Sequence, residues 1–258
     1  MSPLETGRIT YLSPPAQVSM GDKWFEIANL DHFWIMRRFE VLTRLADGLI
    51  RQSSALAEVG CGHGLLQRQI EDHYGRQVTG FDLNEIALRQ TASRTSSVCC
   101  YNLFQQNPEY KGRFDLIFLF DVLEHLENED AFVKAIQFHL APRGRILINV
   151  PALQILYSNY DKAAGHFRRY NIAALRRVAE RNGMKIGAMS YWGMSMTPLL
   201  LLRRLWLLTM QSQEKIISTG FDTRGPLMNR LLLLWSQMEP IPQKLLGSSL
   251  MAVLERPE

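Results

Sequence analysis

The sequence predicts an α/β fold built on one mostly parallel sheet, and three observations carry that expectation. Short apolar runs alternate with helix-like segments through the middle of the chain, a glycine-rich bend follows the first run, and an acid closes the second. The runs at 55–59, 78–81, 114–120 and 146–150 have strand length, and each is bounded by Gly, Pro or Asp. Helical patterns fill 65–72, 85–93 and 131–139 between them. Strands alternating with helices imply βαβ units, whose ligands sit beyond the carboxyl ends of the strands.

Flanking segments complete the outline. In 31–45 the apolar residues Trp34, Ile35, Phe39, Leu42 and Leu45 recur at roughly helical spacing, which predicts an amphipathic helix packed on the core. Asn171 is placed to cap a helix running to Arg181, Gly183 suits its C-terminal turn, and 184–191 reads as a strand. Leucine runs at 199–202, 205–208 and 231–235 suggest two helices inserted before a last strand at 249–254. The expected organisation is one domain over 1–258: an N-terminal helical cap (1–50), a binding core (51–192), a helical insertion (193–247) and a last strand with tail (248–258).

Composition narrows the class. The chain has 258 residues, 47% of them hydrophobic and 21% charged, which argues against disorder outside the ends. A net charge of +4 with scattered arginines lacks the basic stripe of nucleic-acid binders, so no nucleic acid is expected. Cys61, Cys99 and Cys100 form no CxxC pair, which points to a reducing compartment and to no metal. The first eleven residues have no apolar signal-peptide core, and no run of about 18 apolar residues occurs, so the cytoplasm is the expected location.

The sharpest motif is Glu58-Val59-Gly60-Cys61-Gly62-His63-Gly64, directly before a helix. Alternate glycines let a backbone turn tightly and approach a ligand where a β-carbon would collide. The helix behind them presents free N–H groups and a positive dipole end. A dinucleotide site calls for GxGxxG with pyrophosphate on that helix, whereas this chain has GxGxG with a carboxylate two residues ahead. Glu58 would repel pyrophosphate and suits a ligand bearing an ammonium group, such as S-adenosylmethionine. A glycine turn of an unrelated α/β protein is the bland alternative. Asp82 stands about 20 residues after the loop, where a ribose-binding acid belongs. It could instead cap the next helix, a task Asn84 suits better.

These stretches, together with 114–125 (Phe-Asp-Leu-Ile-Phe-Leu-Phe-Asp-Val-Leu-Glu-His) and 142–151 (Pro-Arg-Gly-Arg-Ile-Leu-Ile-Asn-Val-Pro), give a sequence that resembles the class I S-adenosylmethionine-dependent methyltransferases. The similarity is to the small-molecule branch that includes ubiquinone-biosynthesis O-methyltransferases, and it covers about 50–190. The resemblance implies a Rossmann-like seven-stranded sheet with flanking helices, an antiparallel last strand and a helical cap insertion. It implies S-adenosyl-L-methionine as cofactor and S-adenosyl-L-homocysteine as its product. Glu58 and the backbone of Gly60, Cys61, Gly62 and Gly64 would hold the methionine end, Asp82 the ribose and Leu83 one face of the adenine. Asn102 would meet the adenine amino group, where many relatives have Asp. Phe120 and Asp121 would lie near the methionine ammonium.

Transfer from a sulfonium needs alignment and exclusion of water, and a hydroxyl acceptor also needs a base for its proton. His125, just beyond the fourth run, and His166 are the candidates, with packing beside the cofactor and ordering of a loop as the respective alternatives. The stretch 160–170 concentrates polar, aromatic and basic groups on the acceptor side. Tyr160, Arg168, Arg169 and Tyr170, with Tyr157 just ahead of the stretch, are candidate acceptor contacts, the arginines for a carboxylate or phosphate. They could equally pair with surface acids. His32 and Trp34 could close over the pocket or simply pack. The leucine-rich helices admit a cap over the pocket, a dimer face or peripheral membrane contact, burial being the favoured reading. The expected partner is a small-molecule acceptor and the expected assembly a monomer or homodimer, with oxygen favoured as the methylated atom. A nucleotide (NAD)-dependent oxidoreductase and a non-catalytic cofactor-binding relative are the rival readings.

Overall fold

The central strands are apolar on both faces, and that property dictates a sheet sandwiched between helices. The computed structural model describes residues 9–16, 28–209, 216, 223 and 225–257. Expectations for the extreme N-terminus, for part of the N-terminal cap and for much of the segment between the two leucine-rich runs lie outside the described residues. The eight strands are β1 (Ile9–Tyr11), β2 (Leu56–Val59), β3 (Thr79–Asp82), β4 (Val98–Cys100), β5 (Phe114–Phe120), β6 (Leu140–Pro151), β7 (Lys185–Trp192) and β8 (Ser249–Glu255). They form one sheet in the order β1-β4-β3-β2-β5-β6-β8-β7, in which only β8 pairs antiparallel with its neighbours. The reversed last strand agrees with the sequence expectation. The strand count exceeds it by one, because Ile9–Tyr11 adds a parallel edge beside β4. Three residues are too short a run to carry a readable period.

Alternation along β5 divides the core between the two faces. Ile117 and Leu119 pack with Val59, Phe81, Ile146 and Ile148, while Leu116, Phe118 and Phe120 pack with Leu56, Leu147 and Met251. The first face is covered by α4 (Glu129–His139) and α6 (Ile172–Arg181) through Val133, Ile136, Leu175 and Val178. The second is covered by α1 (Phe33–Gln52) and α2 (Leu65–Tyr74) through Val41, Leu42, Ile50, Leu66 and Ile70.

Local signals set the helix ends. Asn84 caps the short α3 (Glu85–Arg89) by accepting from the Ala87 N–H, and Asn171 caps α6 through the Ala174 N–H. α3 stops four residues before the expected end. α5 (Asn159–Ala164) begins with a reciprocal capping box between Ser158 and Asp161. α7 (Thr197–Leu207) and α8 (Pro226–Ser236) occupy the leucine-rich region, both starting with Pro in the first turn. Their leucines are largely exposed, contrary to the favoured burial reading. No described helix is long and apolar enough to cross a membrane.

The winding reverses between β2 and β5, so the crevice opens beyond their carboxyl ends, as the switch-point rule requires. Phe118, fully buried in the second face, should cost about 3–5 kcal/mol of stability when replaced by Ala, measured by urea denaturation.

Candidate active site

A cleft of about 450 Å³ lies at this switch point, walled by the loops that follow β2, β3, β4 and β5. Gly60 and Cys61 both donate their N–H groups to the Phe81 carbonyl, at 2.8 and 3.1 Å, which folds the glycine bend back over β3. Gly60, Gly62 and Gly64 have φ of 73°, 51° and 72°, the left-handed region where a side chain is strained. A β-carbon on Gly60 would also run into the Val122 side chain. Asp82 is clamped between loop and helix: Oδ2 accepts from the Gly62 N–H at 2.7 Å and Oδ1 from the Asn84 N–H at 2.8 Å. Burial nonetheless raises its pKa above the ordinary carboxylate value, the backbone bonds only partly opposing the shift.

Glu58 is buried at 4% exposure, and its Oε2 has no hydrogen-bond partner. Burial pushes its pKa up to about 8, opposed by Arg38 and reinforced by Asp82. An orphaned acidic oxygen facing a cleft fits a cationic ligand group and disfavours a phosphate. Leu83, Asn102, Phe120 and Asp121 line the same cleft. Asn102 accepts from the Phe104 N–H through its side chain at 3.1 Å and donates its backbone N–H to Ser13. Gly64 does not line the cleft. It caps α2, and a β-carbon there would meet Thr91 and Gln67, so its glycine serves the turn.

A second cavity of about 230 Å³ adjoins the first, and Asp121 belongs to the walls of both. Asp121 has φ of 55° and is gripped from two sides: Arg38 Nη1 donates to Oδ2 at 2.6 Å, and Asn149 Nδ2 to Oδ1 at 2.7 Å. Asn149 in turn accepts from Trp192 Nε1 at 2.8 Å.

His166, Tyr160, Arg169 and Trp34 line this second cavity. His166 Nδ1 lies 3.0 Å from Asp161 Oδ1, and Arg169 Nε donates to the same oxygen at 2.7 Å. Burial alone would raise Asp161, but its bonds with His166 and Arg169 hold it down at about 2. An ionised acceptor on Nδ1 keeps the proton there, so Nε2 presents its lone pair, 4.0 Å from Glu124 Oε1. Burial, with Asp121 adding to it, raises Glu124 well above the carboxylate range, and neither of its oxygens has a hydrogen-bond partner. Arg203 lies over the Tyr160 ring at 4.6 Å, and burial lowers its pKa.

His125 lines the first cleft instead, edge-on to His166 with ring centroids 4.7 Å apart. Burial, helped by His166, pushes it down to about 3, so it stays neutral. The sequence carries no metal-ligand spacing, yet one ligand atom from each of Glu124, His125 and His166 lies within 4.8 Å of the others. Three such donors could hold a divalent cation.

Four expected acceptor contacts are placed elsewhere. Arg168 pairs with Glu129 at 3.0 Å and with the Glu127 carbonyl, so its charge is spent on the outer surface. Tyr170 is buried and donates to Glu129 at 2.7 Å. Tyr157 donates to the His166 carbonyl at 2.7 Å and so supports the loop from behind. His32 caps α1, accepting from the Trp34 N–H at 3.2 Å. Sequence reasoning passed over Arg38, Glu124 and Asp161, and Arg203 stands out there only as a basic break, with Arg204, in a leucine run suited to an interfacial helix. The Ser158-x-x-Asp161 spacing is a local signal of the capping box that orders Asp161, but nothing local points to it as the partner of His166.

A sequence profile described as a methyltransferase domain matches residues 29–187. The chain belongs to the class I S-adenosylmethionine-dependent methyltransferase family. It is 31% identical over 109 residues to the ubiquinone biosynthesis O-methyltransferase of Idiomarina loihiensis, a match covering 40% of this chain and 44% of that one. It is 25% identical over 146 residues to the chloroplastic tocopherol O-methyltransferase of Arabidopsis thaliana, covering 54% and 41%. The chain thus spans less than half the length of these two curated relatives. Haemonchus contortus phosphoethanolamine N-methyltransferase 2, solved with S-adenosyl-L-methionine, shares the fold at TM-score 0.54 and 17% identity, over 87% of this chain and 53% of that one.

The raised Glu58 pKa has a stability consequence of defined sign. A folded pKa near 8 against an unfolded value of 4.5 means the contribution is intact below pH 4.5 and lost as pH rises toward 8. Glu58→Gln should therefore stabilise the unliganded protein near pH 7 by up to ~3 kcal/mol and be without effect near pH 4, read from melting temperature against pH.

Proposed function

We propose that the chain transfers a methyl group from S-adenosylmethionine to a hydroxyl oxygen of a small-molecule acceptor, with His166 as general base. One observation carries this reading: the cofactor-type cleft and the cavity holding the Asp161–His166 pair meet at Asp121. Glu58 and the Gly60–Gly62 backbone would hold the amino-acid end of the cofactor, Asp82 the ribose hydroxyls, and Leu83 and Asn102 the adenine. When bound, S-adenosylmethionine supplies a methyl group already activated by its sulfonium.

The chain's own residues then have three tasks. Asp161 keeps His166 in the tautomer whose Nε2 can accept the acceptor's hydroxyl proton as the oxygen becomes methylated, and it stabilises the resulting imidazolium. Trp34, Tyr160, Leu199 and Leu200 exclude water from the cavity. Arg169 and Arg203 face the same cavity and favour an acceptor with an anionic or electron-rich group. Glu58 argues against the NAD reading, because an acid that burial keeps neutral is drawn to ionise by a cation and gains nothing from a pyrophosphate.

Calorimetry with S-adenosylmethionine, S-adenosylhomocysteine and NAD tests the cofactor assignment. Binding of the sulfur ligands and not of NAD is expected, and the converse would overturn it. Asp82→Ala should weaken cofactor binding by about 2–4 kcal/mol through lost charge-assisted hydrogen bonds. With labelled cofactor and a panel of hydroxylated acceptors, His166→Ala should cut turnover by about 10²-fold or more with the cofactor Kd unchanged. Asp161→Asn should lower turnover and, by removing the anion that stabilises the imidazolium, move the acid limb of the activity profile to lower pH, a split that mere loss of packing would not give. Full turnover in His166→Ala would remove the base assignment.

A further inference from the structure

The two leucine-rich helices present their apolar residues outward. Along α8 and just beyond it, Leu227, Leu231, Leu234 and Met238 recur at intervals of four, three and four, and are 51–77% exposed. Such spacing places them on one helical face. On α7, Leu202 and Leu205 are 65% and 63% exposed. Surface this apolar on two helices exceeds the scattered leucines of an ordinary monomer. Trp206 and Trp235 are half exposed beside it, and Trp235 Nε1 donates to the Ser195 carbonyl at 2.9 Å, joining α8 to the turn before α7.

Two further observations say what covers this surface. First, α7 and α8 contain Arg203, Arg204 and Arg230 and not one acid. Second, Leu199, Leu200 and Arg203 of α7 and Leu232 of α8 line the acceptor-side cavity, and Leu199 is itself 45% exposed, so the cavity wall runs out into the apolar surface.

We infer that the α7–α8 surface docks on an anionic lipid bilayer and that the acceptor is an amphiphile drawn from that bilayer into the cavity. Leucines with flanking tryptophans enter the headgroup region, and Arg204 and Arg230, with no acid on either helix, meet anionic headgroups, while Arg203 stays in the cavity wall. A second copy of the chain fits less well. An isologous dimer through this surface would set like arginines against each other and cover the apolar approach to the cavity. Docking stands independently of methyl transfer, whereas acceptor delivery rests on the function proposed above.

The test is co-sedimentation of the full chain with phosphatidylcholine vesicles, with and without about 30% phosphatidylglycerol. In parallel, S-adenosylhomocysteine is titrated by calorimetry, and size is followed by light scattering. Expected is binding to the anionic vesicles, weakened by about 0.5 M salt. Leu202→Glu with Leu231→Glu should weaken partitioning about tenfold or more, and Arg230→Glu should weaken it less, with S-adenosylhomocysteine affinity unchanged in each. Absence of vesicle binding, equal binding to neutral vesicles, or a dimer that the leucine variants dissociate would each overturn the proposal. Intact vesicle binding without S-adenosylhomocysteine binding would leave docking standing and overturn the function on which delivery rests.

Discussion

Everything at the site is referenced to Asp121. A non-glycine residue at φ of 55° costs on the order of 1–3 kcal/mol, and it persists only where its surroundings over-determine it. Here they do. Arg38 and Asn149 each take one carboxylate oxygen, Asn149 is fixed in turn by Trp192, and the Asp121 N–H donates to the Asn149 carbonyl at 2.9 Å. The network therefore spans α1, β5, β6 and β7. It holds the partition between the two cavities at one place, which is the geometric condition for handing a group from one to the other.

The buried acids on either side of that partition are kept in opposite charge states by their neighbours. Asp161 is held ionised by Arg169 and His166 at the cost of desolvation, which lets it orient the imidazole. Glu58 and Glu124 receive no comparable hydrogen bonds and are held protonated by burial. An acid that is neutral alone and ionises when a cation arrives stores unfavourable desolvation in the free protein and releases it on binding. The stability penalty at Glu58 and the fit of its unpartnered oxygen to a cationic group thus have one physical origin.

What could be read in the sequence was what local pattern encodes. The glycine bend, the alternating strands, the Asn84 and Asn171 caps and the reversed last strand follow from spacing, turn chemistry or the family likeness, and the fold contains each of them. Hidden were the residues whose meaning comes from a distant partner. Arg38 sits on an amphipathic helix among apolar neighbours, and only the packing of α1 over the cleft turns it toward Asp121, 83 positions away. Arg168 and Arg169 are adjacent and chemically identical, yet one pairs with Glu129 outside and the other with Asp161 inside. No single-sequence pattern separates them, because the difference lies in which side of the loop each faces. The leucines of α7 and α8 misled for the converse reason: apolarity argues for burial without saying in what.

The N-terminal helix does more than cover the sheet. Neighbouring residues of α1 line different cavities: Phe33 and Trp34 the smaller one, Ile35 and Arg38 the larger cleft. Its N-terminus is tied to α8, where the Phe33 N–H meets Asn229 Oδ1 at 2.8 Å, and Arg37 is buried against Glu239 at 3.4 Å. Any displacement of α8 is thereby felt by α1, and through Arg38 by Asp121. Two ion pairs contributed by adjacent residues of one helix, the buried Arg37–Glu239 and the partly buried Arg38–Asp121, thus link the segment behind α8 to the partition between the cavities.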